Sequence, residues 1–298
     1  MTITIDFSTD WKTYMLADIA SQGYQVSSSE PLDSISYKFF NVRRRRLQAC
    51  PRTVHESSEF QCPANLSNGY QALKAKLVAG DDVTPHLSKS LLDVDYDDPL
   101  LNDWGIHHFH LGQTVEASGF IDRTGPLLFA FVTPEDAYCI NIFPHGAWTE
   151  QELIKILHRN WPAAISDFKL NGVLSLAHSV SNQDIAKLRK AGVQTMVEVG
   201  PGVVYGPMGG GYSTAGTSVR ATMQSDKYRR IVRSLEDHVR ENLQMFLDKI
   251  AEHRLTPANP PTFSLLVNDD GFLALETGSK VAFMLYPHNR GSQETPDN

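Results

Sequence analysis

The chain has 298 residues, of which 41% are hydrophobic and 20% are charged, and its formal net charge is −7. This composition is typical of a globular protein and excludes a wholly disordered chain. No apolar run approaches the roughly 18 residues that a membrane-spanning helix needs, and the N-terminal segment lacks the basic and apolar regions of a signal peptide. The three cysteines have no disulfide-framework spacing. We therefore expect a cytoplasmic protein with reduced thiols and no membrane partner.

The first part of the chain shows helical and strand patterns in turn. A short helix is predicted over 10–22, and a strand over 35–42 because that segment is rich in aromatic and β-branched residues. Apolar residues at helical spacing predict a helix over 66–78, and a second short helix is expected over 85–92. These elements precede the most unusual segment of the chain, which is rich in histidine.

Three closely spaced strand patterns follow. The segment 105–111 is expected to be a strand, and 127–132 is a continuous apolar run of the kind that is buried on both faces. A third strand is predicted over 137–143 after a tight turn at Pro134. We therefore predict that residues 104–145 form adjacent antiparallel strands of one sheet with flanking helices.

The second part of the chain predicts a separate unit around a long helix. We place a boundary near 163–172, between a first domain over 1–165 and a second over 172–286. An apolar stripe predicts a helix over 226–253, with Ser225 as its cap, and three short strands follow it. Residues 287–298 are polar and are expected to be a disordered tail. The expected fold class is α+β.

A run of four arginines is the densest basic patch. Because the chain is acidic overall, any RNA contact must come from a local patch that works against the global charge. We name these residues as a candidate RNA-binding patch, with a solvated loop or strand end as the alternative: Arg43, Arg44, Arg45 and Arg46.

The histidine-rich segment indicates a functional site. If 105–111 is a strand, alternation places His108 and His110 on one face, while His107 shares the other face with core-like apolar residues. His108 and His110 then point towards one space.

Neighbouring strands supply partners for this pair. Arg123 comes just before the strand 127–132, and His145 comes just after the strand 137–143. In a meander, the start of one strand and the end of the next lie at the same edge, so we expect Arg123 and His145 to be neighbours. Trp148 could then line the floor of the site.

Two kinds of chemistry suit three histidines. Paired imidazoles serve acid and base catalysis near neutral pH, because their unperturbed pKa is about 6.5. Three histidines and a water also make an open zinc-like site, so His108, His110 and His145 form an alternative metal-ligand set. The leading expectation is a site without a metal or another cofactor.

The element order resembles that of the RelE-like (BECR, barnase–EndoU–colicin–RelE) ribonuclease toxins. The residues that carry the resemblance are HHFHL, DRTGPLLFAFV and AYCINIFPHG, and it covers roughly 35–160. It implies a metal-independent endoribonuclease toxin in a toxin–antitoxin or phage-defence setting, with RNA as substrate and an antitoxin or another protein as partner. Carried over, His108 or His110 is the base, His145 is the acid, and Arg123 holds the phosphate.

Departures from that family leave other functions open. The chain is longer and more acidic than a typical member, and 172–286 has no counterpart in it. The alternatives are a metal-dependent hydrolase that uses the three histidines, and a non-enzymatic defence or regulatory protein whose histidines are structural.

Overall fold

The computed structural model describes residues 2–287, and its fold class is α+β, as the sequence predicts. The predicted tail lies, from residue 288 onwards, outside the described residues. The α-helices are α1 (Phe7–Ser21), α2 (Leu32–Arg45), α3 (Ser67–Ala79), α4 (Pro99–Trp104), α5 (Glu152–Asn160), α6 (Asn182–Lys190), α7 (Val219–Glu241) and α8 (Leu243–Glu252). The strands are β1 (Thr4–Ile5), β2 (Thr53–Glu56), β3 (Ile106–Phe109), β4 (Pro126–Val132), β5 (Asp136–Pro144), β6 (Val197–Gly200), β7 (Val203–Tyr205), β8 (Thr262–Asn268), β9 (Gly271–Glu276) and β10 (Ala282–Pro287).

Residue contacts group the described residues into two compact units. One unit comprises 41–222, and the other comprises 2–40 together with 223–287. The predicted boundary near 163–172 does not coincide with this division.

The predicted boundary differs from the observed division because the 41–222 unit has one continuous core. Val197, Tyr205 and Met208 belong to the same buried cluster as Leu127 and Phe129 of β4. Side chains from both sides of the predicted boundary therefore share one hydrophobic core.

A four-stranded sheet organises the 41–222 unit, with the order β2-β5-β4-β3. The meander β3-β4-β5 is antiparallel, as predicted, whereas β2 is parallel to β5. Apolar residues of β4 are buried on both faces of the sheet: Leu127 and Phe129 lie in one cluster, and Leu128 and Ala130 lie in the other. Helix α5 covers the first face and α3 covers the second.

The segment 35–42 is helical, so its predicted strand is wrong. Ile35, Phe39 and Val42 are all buried, and their spacing of four and three residues matches one face of a helix. The aromatic and β-branched content of the segment favours a strand locally, but burial of this stripe in the folded protein outweighs that preference. The strand that precedes α3 is β2 instead.

The 2–40 and 223–287 unit is built on a second sheet, with the order β1-β8-β9-β10. The short strand β1 pairs in parallel with β8, so the two ends of the described chain meet in one sheet. Trp11 of α1 packs against Phe39 and Phe272, with ring centroids 5.5 and 5.6 Å away.

The long helix predicted over 226–253 is two helices, α7 and α8, separated at Asn242. Helix α7 begins at Val219, so Ser225 does not cap it. Ser225 is buried inside the helix, where its hydroxyl bonds that of Ser36 at 2.8 Å. The three strand patterns that follow the helices correspond to β8, β9 and β10.

Within residues 2–287, no helix combines the length and apolar character needed to cross a membrane.

Candidate functional site

A cavity of about 520 Å³ opens in the 41–222 unit beside strand β3. Five residues that the sequence singles out line it together: His108, His110, Arg123, His145 and Trp148. The remaining lining residues are Ser88, Ser90, Tyr96, Asp98, Pro99, Leu100, Thr149, Ala186, Arg189 and Lys190.

His108 projects from β3 between a carboxylate and an aromatic ring. Its Nδ1 atom is buried without a hydrogen-bond partner and lies 3.9 Å from Oδ2 of Asp98. The other carboxylate oxygen of Asp98 accepts hydrogen bonds from the backbone N–H groups of Leu100 and Leu101, which caps α4 and fixes the carboxylate. The ring of Trp148 lies 4.6 Å from that of His108, centroid to centroid.

Burial has the largest effect on the pKa of His108. It lowers the pKa of this imidazole, and the neighbouring His145 and Arg123 lower it further, while the carboxylate of Asp98 raises it. His108 is therefore neutral near pH 7 and can accept a proton. Because Nδ1 faces Asp98, Nε2 is the atom left to serve a substrate.

His110 follows β3 and is fixed by backbone groups. The backbone N–H of Thr124 donates to its Nδ1 at 3.3 Å, and its own backbone N–H donates to the carbonyl of His86 at 2.7 Å. Burial, with the nearby charge of Arg123, lowers the pKa of His110 to about 4. Since Nδ1 accepts a hydrogen bond, the neutral ring carries its proton on Nε2 and acts as a hydrogen-bond donor.

Arg123 and His145 lie at the same end of the neighbouring strands β4 and β5, as the meander predicts. Pro126 at the start of β4 pairs with Pro144 at the end of β5. Arg123 lies at the end of a small hairpin loop. At the start of that loop Gly112 is required, because a Cβ atom on residue 112 would lie 2.2 Å from the carbonyl oxygen of Asp122. Arg123 and His145 are both exposed at the cavity.

A buried ion pair holds Trp148 in place. Arg189 of α6 donates from Nη1 to the carbonyl of Trp148 and from Nε to Asp103 at 2.7 Å. Its guanidinium lies over the ring of Trp104, with its central carbon 4.1 Å from the ring centroid. Trp148 in turn lies 5.2 Å from the His145 ring, so one tryptophan contacts two of the three histidines.

The metal-ligand alternative finds no support in the side-chain geometry. Zinc needs donor atoms about 2.0–2.1 Å from a common point. Within residues 2–287, no three or more His, Cys, Asp or Glu side chains form a group that could hold a metal ion. His108, His110 and His145 line one cavity but do not form such a group.

The four arginines, 43–46, do not line the cavity. They lie at the end of α2 and just beyond it, not at a strand end. Arg44 donates to Oδ1 of Asn102 and to the carbonyl of Leu101, and Arg45 is buried and donates to the carbonyl of Asp93. These two side chains donate hydrogen bonds to backbone and amide oxygens of the protein itself. The structure therefore gives them a structural role and does not bring the arginine patch to the predicted site.

His107 does not line the cavity, as strand alternation predicts. It is only 8% exposed, and its ring lies 6.2 Å from that of Phe109. Burial lowers the pKa of His107 to about 3.

Sequence reasoning did not identify Asp98, Arg189 or Lys190 as residues of the site. The sequence does contain a signal for Asp98, because Asp followed by Pro is typical of a helix start. Only one short helix separates this residue from the histidine segment, so its carboxylate could be expected near the histidines. For Arg189 and Lys190 no signal existed, because only the folded core brings α6 to the cavity.

No protein-family model, curated protein or solved structure matches the chain. The RelE-like resemblance therefore stays a prediction from the pattern of residues.

Proposed function

We propose that the chain is a metal-independent endoribonuclease whose active site is this cavity. The observation that carries the proposal is the convergence of two neutral imidazoles, an exposed histidine, an exposed arginine and an indole ring on one cavity. These groups match the needs of RNA cleavage by the ribose 2′-hydroxyl, namely a base, an acid and a cation for the phosphate.

In the proposed reaction, Nε2 of His108 removes the proton from the 2′-hydroxyl. The 2′-oxygen attacks the adjacent phosphorus, and the bond from phosphorus to the 5′-oxygen breaks. His145, in its protonated form, gives a proton to that 5′-oxygen. The products are a 2′,3′-cyclic phosphate and a 5′-hydroxyl, with one proton taken up by His108 and one released by His145.

Two further groups stabilise the charge on the phosphate. Arg123 offers a planar guanidinium that can bind two phosphate oxygens at once. His110 offers an Nε2–H donor that stays in place because its other nitrogen is bonded to Thr124. His110 thus serves as a hydrogen-bond donor in this proposal, and His108 is assigned as the base. Trp148 offers a ring on which an RNA base can stack.

The test is RNA cleavage in excess chelator with the wild type and single variants. His108→Ala and His145→Ala should each lower cleavage by about 10²–10⁴-fold, the usual loss for a general acid or base. Arg123→Lys should also lower it, since an ammonium cannot make the paired contact of a guanidinium.

His107→Gln is the matched control, because His107 lies in the same strand but outside the cavity, and it should cleave at the wild-type rate. An RNA with a 2′-deoxy nucleotide at the cut position should resist cleavage. Equal activity in all variants, or activity that chelator abolishes and zinc restores, would disprove the proposed mechanism.

A further inference from the structure

The cavity holds a second exposed cation that the proposed chemistry leaves unused. Lys190, the last residue of α6, lines the cavity together with Arg123. Both side chains belong to exposed residues, and neither forms an ion pair with an acidic residue in the described part of the chain. In a protein with a net charge of −7, two uncompensated cations at one cavity favour an anionic ligand with more than one charge.

Helix α6 is fixed in position, so Lys190 is attached to a rigid support. Ser181 and Asp184 form a capping box at its start, and Ile185 is buried in the core beside the sheet. Arg189, directly before Lys190, is buried and bonded to Asp103 and to the Trp148 carbonyl. The charge of Arg189 is therefore balanced, while that of Lys190 is not.

The carboxylate of Asp98, which lines the cavity, already has partners within the protein. Asp98 uses one oxygen to cap α4 and turns the other towards His108. It does not compensate Lys190. The cavity wall further offers the hydroxyl group of Thr149 as a hydrogen-bond donor, whereas the hydroxyl of Ser88 already donates to that of Ser90.

From this arrangement we propose a second phosphate subsite at Lys190. Arg123 takes the phosphate that is cleaved, and Lys190 takes the neighbouring phosphate of the same strand. The substrate is therefore a single-stranded segment with at least two consecutive phosphates, with a base on Trp148. The inference rests on the proposed function for the identity of the Arg123 phosphate.

The experiment uses ligands that cannot be cleaved because they lack the 2′-hydroxyl. Binding of thymidylyl-thymidine, with one phosphate, is compared with binding of the same dinucleotide carrying an added 5′-phosphate or an added 3′-phosphate, by calorimetric titration at low salt. The wild type should bind one of the doubly phosphorylated ligands about two- to fivefold more tightly, the size expected of an exposed ion pair. High salt should remove the gain.

Variants on the same helix locate the subsite. Lys190→Ala should lose the gain, whereas Lys187→Ala should keep it, since Lys187 lies on the same helix, is exposed and does not line the cavity. If the second phosphate brings no gain to the wild type, or if Lys190→Ala retains the gain, the subsite is wrong. If the gain depends on Lys190 but RNA is not cleaved, the subsite stands and the proposed nuclease activity fails.

Discussion

At the scale of single residues, the site depends on how burial and one carboxylate set the proton affinity of His108. Burial removes the water that would stabilise the imidazolium, so the pKa falls. Asp98 acts in the opposite direction from 3.9 Å, a distance too long for a hydrogen bond. Its effect on His108 is therefore electrostatic.

Replacing Asp98 with Asn tests this balance. Asn still caps α4, because its side-chain oxygen accepts the same backbone hydrogen bonds, but it carries no charge. The pKa of His108 should fall further, so the acid limb of the pH–rate profile should move to lower pH. The maximal rate should drop roughly tenfold, which corresponds to about 1.4 kcal/mol, because His108 becomes a weaker base. An acid limb that stays in place would show that Asp98 does not act on His108.

At the scale of elements, the Asp103–Arg189 pair connects α4 and α6 to Trp148. Both side chains are almost fully buried, at 0% and 4% exposed, and burial raises the pKa of Asp103 while Arg189 lowers it. A buried charge that loses its partner is strongly destabilising, whereas an apolar pair in the same space is often neutral.

We therefore expect Arg189→Met to lower the free energy of unfolding by about 3–5 kcal/mol, because Asp103 is left buried and unpaired. Adding Asp103→Leu should recover much of that loss. Urea denaturation of the two variants and the wild type measures both effects, with Lys187→Met as the control for an exposed change on α6. A double variant as unstable as the single one would show that the two side chains are not coupled.

The strands around the site could be predicted because each local pattern agrees with its folded environment. β4 is a continuous apolar run and is buried on both faces, and Arg123 and His145 flank the paired ends of β4 and β5. The strand predicted at α2 followed its aromatic and β-branched composition, although the spacing of its apolar residues Ile35, Phe39 and Val42 is helical. The contribution of α6 was hidden for another reason: Arg189 reaches Asp103 across 86 residues of chain, and no local pattern encodes that contact.

At the scale of the whole molecule, local sequence patterns do not predict how the chain divides into two units. The unit 2–40 and 223–287 contains both ends of the described chain, since Thr4 pairs with Thr262. A strand of two residues has no detectable pattern, so the sequence indicates neither this pairing nor the position of the boundary.

Acid sensitivity is the last prediction, and it concerns the stability of the 41–222 unit. Burial lowers the pKa of five histidines there: His86, His107 (to about 3), His108, His110 (to about 4) and His158. In the unfolded chain a histidine has a pKa near 6.5, so below that value the unfolded state binds more protons than the folded state. Stability is therefore complete above about pH 6.5 and falls as the pH drops towards 4.

For His107 alone, the loss by pH 4 should be on the order of 3 kcal/mol. His107 is the best probe because it lies outside the cavity, so its replacement leaves the proposed chemistry intact. Urea denaturation at steps from pH 7 to pH 4 should give a free energy of unfolding that falls less steeply for His107→Gln than for the wild type. Identical slopes would mean that the folded state protonates His107 as readily as the unfolded chain does, which its burial beside Phe109 does not permit without local opening of β3.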